Sequence, residues 1–378
     1  MKAKTILVRN IINLENQLDA ITGPDFIPCL AIAFASVSLP LEAFAAVFAK
    51  HHITLIGSSS CGEIWADGNN TNTTERSAAV MLLELGQQAY VTDFTIDQWS
   101  DSYQLGREGA LKLQGKFAHQ AYIIMASGLH TNGQALIEGF VSIAGDDAII
   151  FGGLAGDDAL FKETWVFSDQ QFSNKGLVVL CLDADRIAVS GLATSGWIGL
   201  GAVLKVTSAK GNIVYAIDGL PALDVYMKYL SVNEDDLPSI GVEYPLMLKR
   251  SNGTNAQRAV MGVDKQARSL LFAGTVPEGS LVNFSSSPGF EIIEVTRRHL
   301  DSFAANTAPP ECCLLFSCMA RHLALGPLIA EEVKIAVSKW AVPLAGFFTY
   351  GEIGTNANQH CDFFNQTFTI VLLNEKKE

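Results

Sequence analysis

Apolar positions along this chain gather in short buried-looking runs separated by stretches of helical period, and one order of elements recurs. Leu30 to Ser36 and Cys313 to Cys318 read as strands, and each is followed by an amphipathic helix, Leu41 to Lys50 or Ile329 to Trp340. A second strand then leads to a Gly-Glu-Ile turn, Gly62-Glu63-Ile64 in one copy and Gly351-Glu352-Ile353 in the other. Past each turn a polar, Asn/Thr-rich loop reaches a further apolar strand, Ala79 to Leu83 and Thr369 to Leu373. A third copy lies between them: Ala121 to Ala126, a helix near Gly133 to Ile143, Ala148 to Phe151, and the turn Gly152-Gly153-Leu154-Ala155-Gly156-Asp157-Asp158.

The helices carry start and face signals. Ser38 before Leu39-Pro40 predicts a cap, with Leu41, Phe44 and Phe48 on one face; Ile329, Val333, Val337 and Trp340 make the matching stripe. Between the halves, Arg186 to Ser287 is β-rich, with strands expected at Ile187 to Ala193 and Leu204 to Ser208 and a hairpin at Ala259 to Phe272. One helix interrupts it at Pro221 to Leu230, with Asp218 as its expected cap, and another begins near Pro288-Gly289-Phe290. The pattern predicts an α/β to α+β fold: duplicated strand–helix–strand units with mixed sheets, two packed domains (1–190 and 191–378) and a β-rich middle section. Ligand sites in such units lie beyond the carboxyl ends of the strands, where all three glycine turns fall.

Composition narrows the classes of function. A net charge of −13 argues against binding a phosphate backbone, so no nucleic-acid partner is expected. The most apolar window, Cys29 to Phe48, is broken by Pro40, Glu42 and serines where a strand hands over to a helix, so it reads as core and not as a membrane span. No secretory signal pattern follows Met1-Lys2-Ala3-Lys4, and a cytoplasmic location is expected. Seven irregularly spaced cysteines contain no C-x-x-C pair, which predicts reduced, mostly buried thiols, with Cys312 and Cys313 facing opposite sides of a strand. The histidines show no H-x-x-x-H or H-E-x-x-H spacing, so no helix-borne metal site is read.

The turn Gly152 to Asp158, the central Val206-Thr207-Ser208-Ala209-Lys210-Gly211-Asn212 with Asp218-Gly219-Leu220-Pro221-Ala222-Leu223, the segment Phe316-Ser317-Cys318-Met319-Ala320-Arg321, and Tyr350-Gly351-Glu352-Ile353-Gly354 together resemble FIST proteins, which pair FIST N and FIST C domains. The resemblance spans nearly the whole chain. It implies a bacterial, cytoplasmic sensory module that binds a small molecule, an amino acid among the candidates, and signals without catalysis through a separate protein such as a histidine kinase. A subset of the family resembles haem-binding nitric oxide sensors. Here Phe364 stands in Phe364-Asn365-Gln366-Thr367 where the family often has histidine, and Arg321-His322 replaces the common Arg-Gly, so no cofactor is expected unless His360, His322 or His130 ligates a haem.

The candidate ligand-binding residues are Cys318, Arg321, Tyr350, Gly351, Glu352, Asn365, Glu63, Asp157 and Asp158. Glu63 and Glu352 could accept hydrogen bonds from a ligand ammonium or simply close their own turns. Asp157 and Asp158 would repel a phosphate and suit a cationic or hydroxyl-bearing ligand, or else serve as turn residues. Cys318 with Arg321 nearby is the one arrangement that could make a reactive thiolate, for a hydrolase or transferase; the alternative is an inert buried thiol, and Cys61 stands in the same position. Ser58-Ser59-Ser60 lacks a nucleophile elbow. A pure scaffold without a pocket remains the other class. If only one repeat keeps a working site, the C-terminal copy around Cys318, Arg321, Tyr350 and Glu352 is favoured.

Overall fold

A computed structural model describes residues 1–68, 70–86, 88–250, 255–355 and 360–376. The first unit comprises β1 (Lys2–Val8), α1 (Leu14–Ile21), β2 (Leu30–Ala35), α2 (Leu41–Lys50), β3 (Thr54–Ser59), β4 (Glu63–Asp67), β5 (Asn70–Thr74) and β6 (Ala78–Glu84). The second has β7 (Tyr90–Ile96), α3 (Ser102–Leu113), β8 (Gln120–Ala126), α4 (Gly133–Ala144), β9 (Ile149–Leu154), β10 (Val166–Ser168), β11 (Phe172–Ser173) and β12 (Gly176–Asp183). The third opens with β13 (Ile187–Thr194). It is then interrupted by a β-rich module: β14 (Ile198–Lys210), β15 (Ile213–Ile217), β16 (Leu220–Pro221), α5 (Ala222–Leu230), α6 (Ser239–Glu243), β17 (Leu246–Lys249), β18 (Asn255–Arg258), β19 (Val260–Asp264), β20 (Ser269–Phe272) and β21 (Leu281–Ser286). It resumes with α7 (Glu291–Ala305), β22 (Cys312–Cys318), α8 (Met319–Leu325), α9 (Ile329–Trp340), β23 (Leu344–Thr349), β24 (Gly351–Thr355), β25 (Cys361–Phe364) and β26 (Phe368–Glu375).

The three units obey one topology. β2 pairs with β3, β8 with β9, and β22 with β23 in parallel, and an antiparallel strand (β6, β12 or β26) flanks the first of each pair. Each unit then sends its next hairpin to a neighbour. β4 and β5 complete the third sheet beside β23, β10 and β11 complete the first beside β3, and β24 and β25 complete the second beside β9. The Gly-Glu-Ile segments are therefore not turns that end strands. Glu63 and Gly351 open new strands, and Asn70 to Thr74 is a paired strand where a loop was expected. The corresponding C-terminal stretch at 356–359 lies outside the described residues.

Strand composition explains the layering. Along β2, Leu30, Ile32 and Phe34 enter a core shared by all three sheets, while Ala31, Ala33 and Ala35 face Phe44 and Phe48 of α2. Alternating large and small side chains let the helix approach one face while the other fills the centre. In that centre Phe34 stacks on Phe347 at 4.6 Å and meets Phe316 edge-on at 5.8 Å. Cys312 joins the shared core and Cys313 the outer layer, on opposite faces of β22 as expected. The helices α2, α4, α7 and α9 form at the expected places; Phe44, Phe48, Ile329, Val333 and Val337 are buried.

Two expected caps do not form. Pro40 precedes α2 without a side-chain cap, and Ser38 instead meets the Ser36 hydroxyl. Asp218 sits in the left-handed region (φ 50°) and accepts the Lys205 N–H, leaving α5 to start at Ala222 with Pro221 before it and no side-chain cap. The β-rich stretch is real, but β13 is not part of it, since it pairs with β26 in the third sheet.

The hairpin exchange forces turns from different units into contact. A methyl group on Gly156 would land on the Cys61 thiol and on the backbone of Ser60 and Cys61. Gly156→Ala should therefore destabilise the protein by about 1–3 kcal/mol, read as a lower urea midpoint with an unchanged slope. A midpoint equal to wild type would show that the turns are not closely apposed.

Candidate functional site

The three crossovers, between β3 and β4, β9 and β10, and β23 and β24, bond directly to one another. Cys61 N–H donates to the Phe348 carbonyl (2.9 Å), Gly156 N–H to Ser59 (3.0 Å), Asp158 N–H to Ser60 (2.8 Å) and Tyr350 N–H to Leu154 (3.1 Å). Every pair of turns is linked. Two carry the same carboxylate cradle. Glu63 accepts from the Ser60 hydroxyl, the Ser77 N–H (3.1 Å) and the Ser77 hydroxyl (2.6 Å), and Glu352 accepts from Thr349, the Thr367 N–H (3.1 Å) and the Thr367 hydroxyl (2.8 Å). Both are fully buried, and burial raises each to about 7 against the pull of those donors.

The third turn is pinned differently. Asp157 accepts N–H bonds from Phe161 (3.0 Å), Lys162 (2.6 Å) and Glu163 (2.9 Å), and also the Tyr350 hydroxyl. Phe161 stacks on Tyr350, ring centres 5.1 Å apart. These contacts hold Asp158, Ala159 and Phe161 in the left-handed region, at φ 55°, 60° and 52°. Non-glycine residues resist this conformation at a cost of about 1 kcal/mol or more each. Arg76, on the turn before β6, is the fourth such residue here (φ 57°).

Between these strained turns lies a cavity of about 460 Å³, lined among others by Cys61, Arg76, Asp158, Leu160, Met319 and His322. It sits beyond the carboxyl ends of β2, β3, β9 and β22, as α/β architecture leads one to expect. Its chemistry is mixed. Asp158 accepts the Ser36 hydroxyl at 2.7 Å; burial raises its carboxyl, and the Ser36 bond and the Arg76 charge oppose that rise. Arg76 makes no hydrogen bond or ion pair with any described residue, so its guanidinium is available. His322 stacks on Phe348 at 4.4 Å, and burial lowers its pKa, favouring neutral imidazole. Burial pushes the Cys61 thiol up to about 12.

Of the nine candidate residues, only Asp158 lines this cavity; Cys318, Arg321, Tyr350, Gly351, Glu352, Asn365, Glu63 and Asp157 are buried in and around the crossovers. Arg321 does not activate Cys318. Its guanidinium pairs with the equally buried Glu332 (Nε to Oε2 3.0 Å) and bonds Thr296 and the carbonyls of Ser195 and Gln366. Burial, with the Glu352 charge beside it, drives the Cys318 thiol well above its ordinary value, away from thiolate. Asn365 joins the Ala259 N–H to the Tyr350 carbonyl. The three histidines considered for a haem lie apart: His322 stacks on Phe348 at the cavity wall, His130 lines a separate cleft, and His360 is exposed beside the Asp146 carbonyl. Arg76, Glu75 and Ser36 were not anticipated. Their one sequence signal is a charged pair, Glu75-Arg76, closing an otherwise uncharged Asn/Thr stretch before an apolar strand.

Comparison with known proteins places the chain. The FIST N domain model matches residues 29–220 and the FIST C domain model residues 222–355. The chain belongs to the FIST family. FIST domains are associated with signal transduction and small-ligand sensing. The two models meet inside the β-rich module, so the third sheet of this FIST protein draws β4, β5 and β13 from FIST N and β22, β23 and β26 from the C-terminal half. Uncharacterized proteins from two strains of Mycobacterium tuberculosis are 25% identical over 222 residues, covering 56% of this chain and 57% of each relative. The match thus spans little more than half the length of those relatives. A crystal structure of cyanuric acid hydrolase from A. caulinodans aligns over 100% of this chain and 99% of its own at 6% identity and a TM-score of 0.37, too low to carry an argument.

The buried glutamates give this FIST protein a characteristic pH response. A carboxyl raised from 4.5 to about 7 binds its proton more tightly folded than unfolded, so its contribution is complete below about pH 4.5 and is lost as pH rises through 7. Unfolding free energy should fall across that window. In Glu352→Gln, which cannot titrate but keeps its shape, the fall should be shallower; parallel curves would mean that Glu352 titrates in the same way folded and unfolded.

Proposed function

We propose that this FIST protein is a non-catalytic sensory module that binds a small zwitterionic metabolite, an amino acid by class, in the cavity between the strained crossover turns. The observation that carries the reading is an available Arg76 guanidinium facing the half-buried Asp158 carboxylate across a cavity partly walled by Leu160, Met319 and Leu323. Arg76 suits the ligand carboxylate, Asp158 with Glu75 the ammonium, and the apolar wall its side chain. Strain held in place by Asp157 and Tyr350 supports a binding role, because it fixes the polar groups before the ligand arrives. Catalysis is not part of the proposal: burial pushes the Cys61 thiol up and the neighbouring His322 down, which disfavours a thiolate–imidazolium pair.

The signal would pass to a separate protein, a histidine kinase being the partner class that the family suggests. All seven cysteines are free, which fits a reducing cytoplasm. No helix among the described residues is long and apolar enough to cross a membrane.

Isothermal titration of the full chain with the protein amino acids should find at least one that binds saturably and raises the melting temperature. Asp158→Asn and Arg76→Gln should each weaken it by about ten-fold while leaving the ligand-free melting temperature near wild type. Absence of binding by every amino acid, or binding indifferent to both substitutions, would overturn the assignment.

A further inference from the structure

The segments that follow β2 and β22 open on the mixed-charge cavity, through Val37 and Ser38 and through Met319 and His322 of α8. The equivalent loop after β8, Gly128 to Asn132, does not. It lines a second cleft of about 940 Å³, whose opposite wall is the β14–β15 hairpin of the β-rich module. The inserted module has enclosed the third strand-end loop in a site of its own.

The groups offered in that cleft differ from those in the first. The side chains of Lys210 and His130 make no hydrogen bond or ion pair with any described residue, and both residues line the cleft. The first turns of two twelve-residue helices, α3 and α4, open on the same space through Ser102 and Asn132. Their positive ends favour an anion. The one carboxylate lining the cleft, Asp101, caps α3, its Oδ1 accepting the Tyr103 and Gln104 N–H groups, and offsets the positive end of that helix, so the end of α4, capped by the neutral Asn132, is the one left open to an anion. Two half-exposed aromatic residues, Trp99 from the second unit and Tyr215 from the module, complete the lining, 46% and 38% exposed, with neither ring in a pair among the described residues. Ser100, next to Trp99, is held in the left-handed region at φ 52°. An ammonium and an imidazole free of partners, in a chain of net charge −13, together with unpaired aromatic faces, suit a planar ring bearing an anionic group.

The geometry points to a second binding site, in the cleft between the second repeat and the β-rich module, for a small aromatic carboxylate held by Lys210 and His130 and stacked against Trp99 or Tyr215. The site is independent of the amino-acid cavity, with which it shares no lining residue. Binding there would bridge the core and the module, so occupancy would stiffen their junction.

Titrating the full chain with benzoate, and with uncharged benzamide as control, tests this by calorimetry and by ligand-observed nuclear magnetic resonance. Benzoate should bind saturably and benzamide about ten-fold more weakly, and Lys210→Gln and Trp99→Leu should each reduce benzoate affinity by a similar factor. Both positions are on the surface, so melting temperatures should not move; Arg76→Gln, in the other cavity, should bind benzoate like wild type. No saturable benzoate binding, equal binding of benzamide, or affinity unchanged in both variants would overturn the proposal. Loss of benzoate binding in Arg76→Gln would place the ligand in the other cavity and overturn it too.

Discussion

The structure depends on three backbone crossovers that must satisfy one another while almost wholly buried. Each unit gives its hairpin to the next sheet, so the chain leaves one sheet and enters another near the centre of the molecule, and the amides freed from one ladder have to find carbonyls in a different unit. The bonds from Cys61, Gly156, Asp158 and Tyr350 do this. The same constraint explains the duplicated glutamates. At Ser77 and Thr367, where the chain returns to its own sheet, an N–H and a hydroxyl need an acceptor, and a glutamate on the crossover supplies it in both copies. A repeated motif that looks like a pair of ligand sites is thus a repeated solution to a hydrogen-bonding problem.

Burial changes the meaning of every conspicuous side chain near these turns. Arg321 would lower the pKa of a neighbouring thiol if it were free, but its guanidinium is spent on Glu332, Thr296 and two carbonyls. Such a pair costs desolvation to form and is worth little net, yet removing one partner would strand a charge in the core. Asp157 likewise exhausts its acceptor capacity on three amides and a phenol. The neighbour of each lines the cavity instead: Asp158 beyond Asp157, and His322 beyond Arg321.

Strands and helices were legible because period and apolar content report burial, and burial is what β2, β8, β22, α2, α4 and α9 share. Three repeats could be read for the same reason. Partnership could not. The pattern of Glu63 to Asp67 says that a residue points inward, not into which sheet, and β4 pairs with β23, some 280 residues away, instead of with its own unit. The polar run Asn70 to Thr74 reads as a loop because its strand is an edge with half-exposed side chains. Arg76 escaped notice because its role depends on a left-handed turn at one end of that exported hairpin. The asymmetry between the copies was visible, but the sequence pointed to the half richer in reactive side chains, and the open cavity follows space instead.

The inserted module is what breaks the near threefold arrangement. It is fastened to the second sheet by Arg258, fully buried, which donates to the Phe363 carbonyl on β25 and to the Gln134 side chain on α4, and by the Arg250–Asp362 ion pair, also on β25. Burial with Arg250 nearby lowers Arg258 to about 10, still high enough to keep its charge at neutral pH, so the joint is held by a cation spread over neutral acceptors. Phe363 packs against Gly133 at the first turn of α4 and lies under the Arg258 guanidinium, 5.6 Å from ring centre to the charge. The joint and the aromatic cleft therefore share the same helix terminus, with Phe363 on one side and Asn132 on the other. A change in how the module sits would be felt at α4, and through β8 and β9 at the turn that carries Asp157 and Asp158. That path runs through packed elements and paired strands, so the module joint and the Asp157–Asp158 turn are physically continuous although the two cavities share no lining residue.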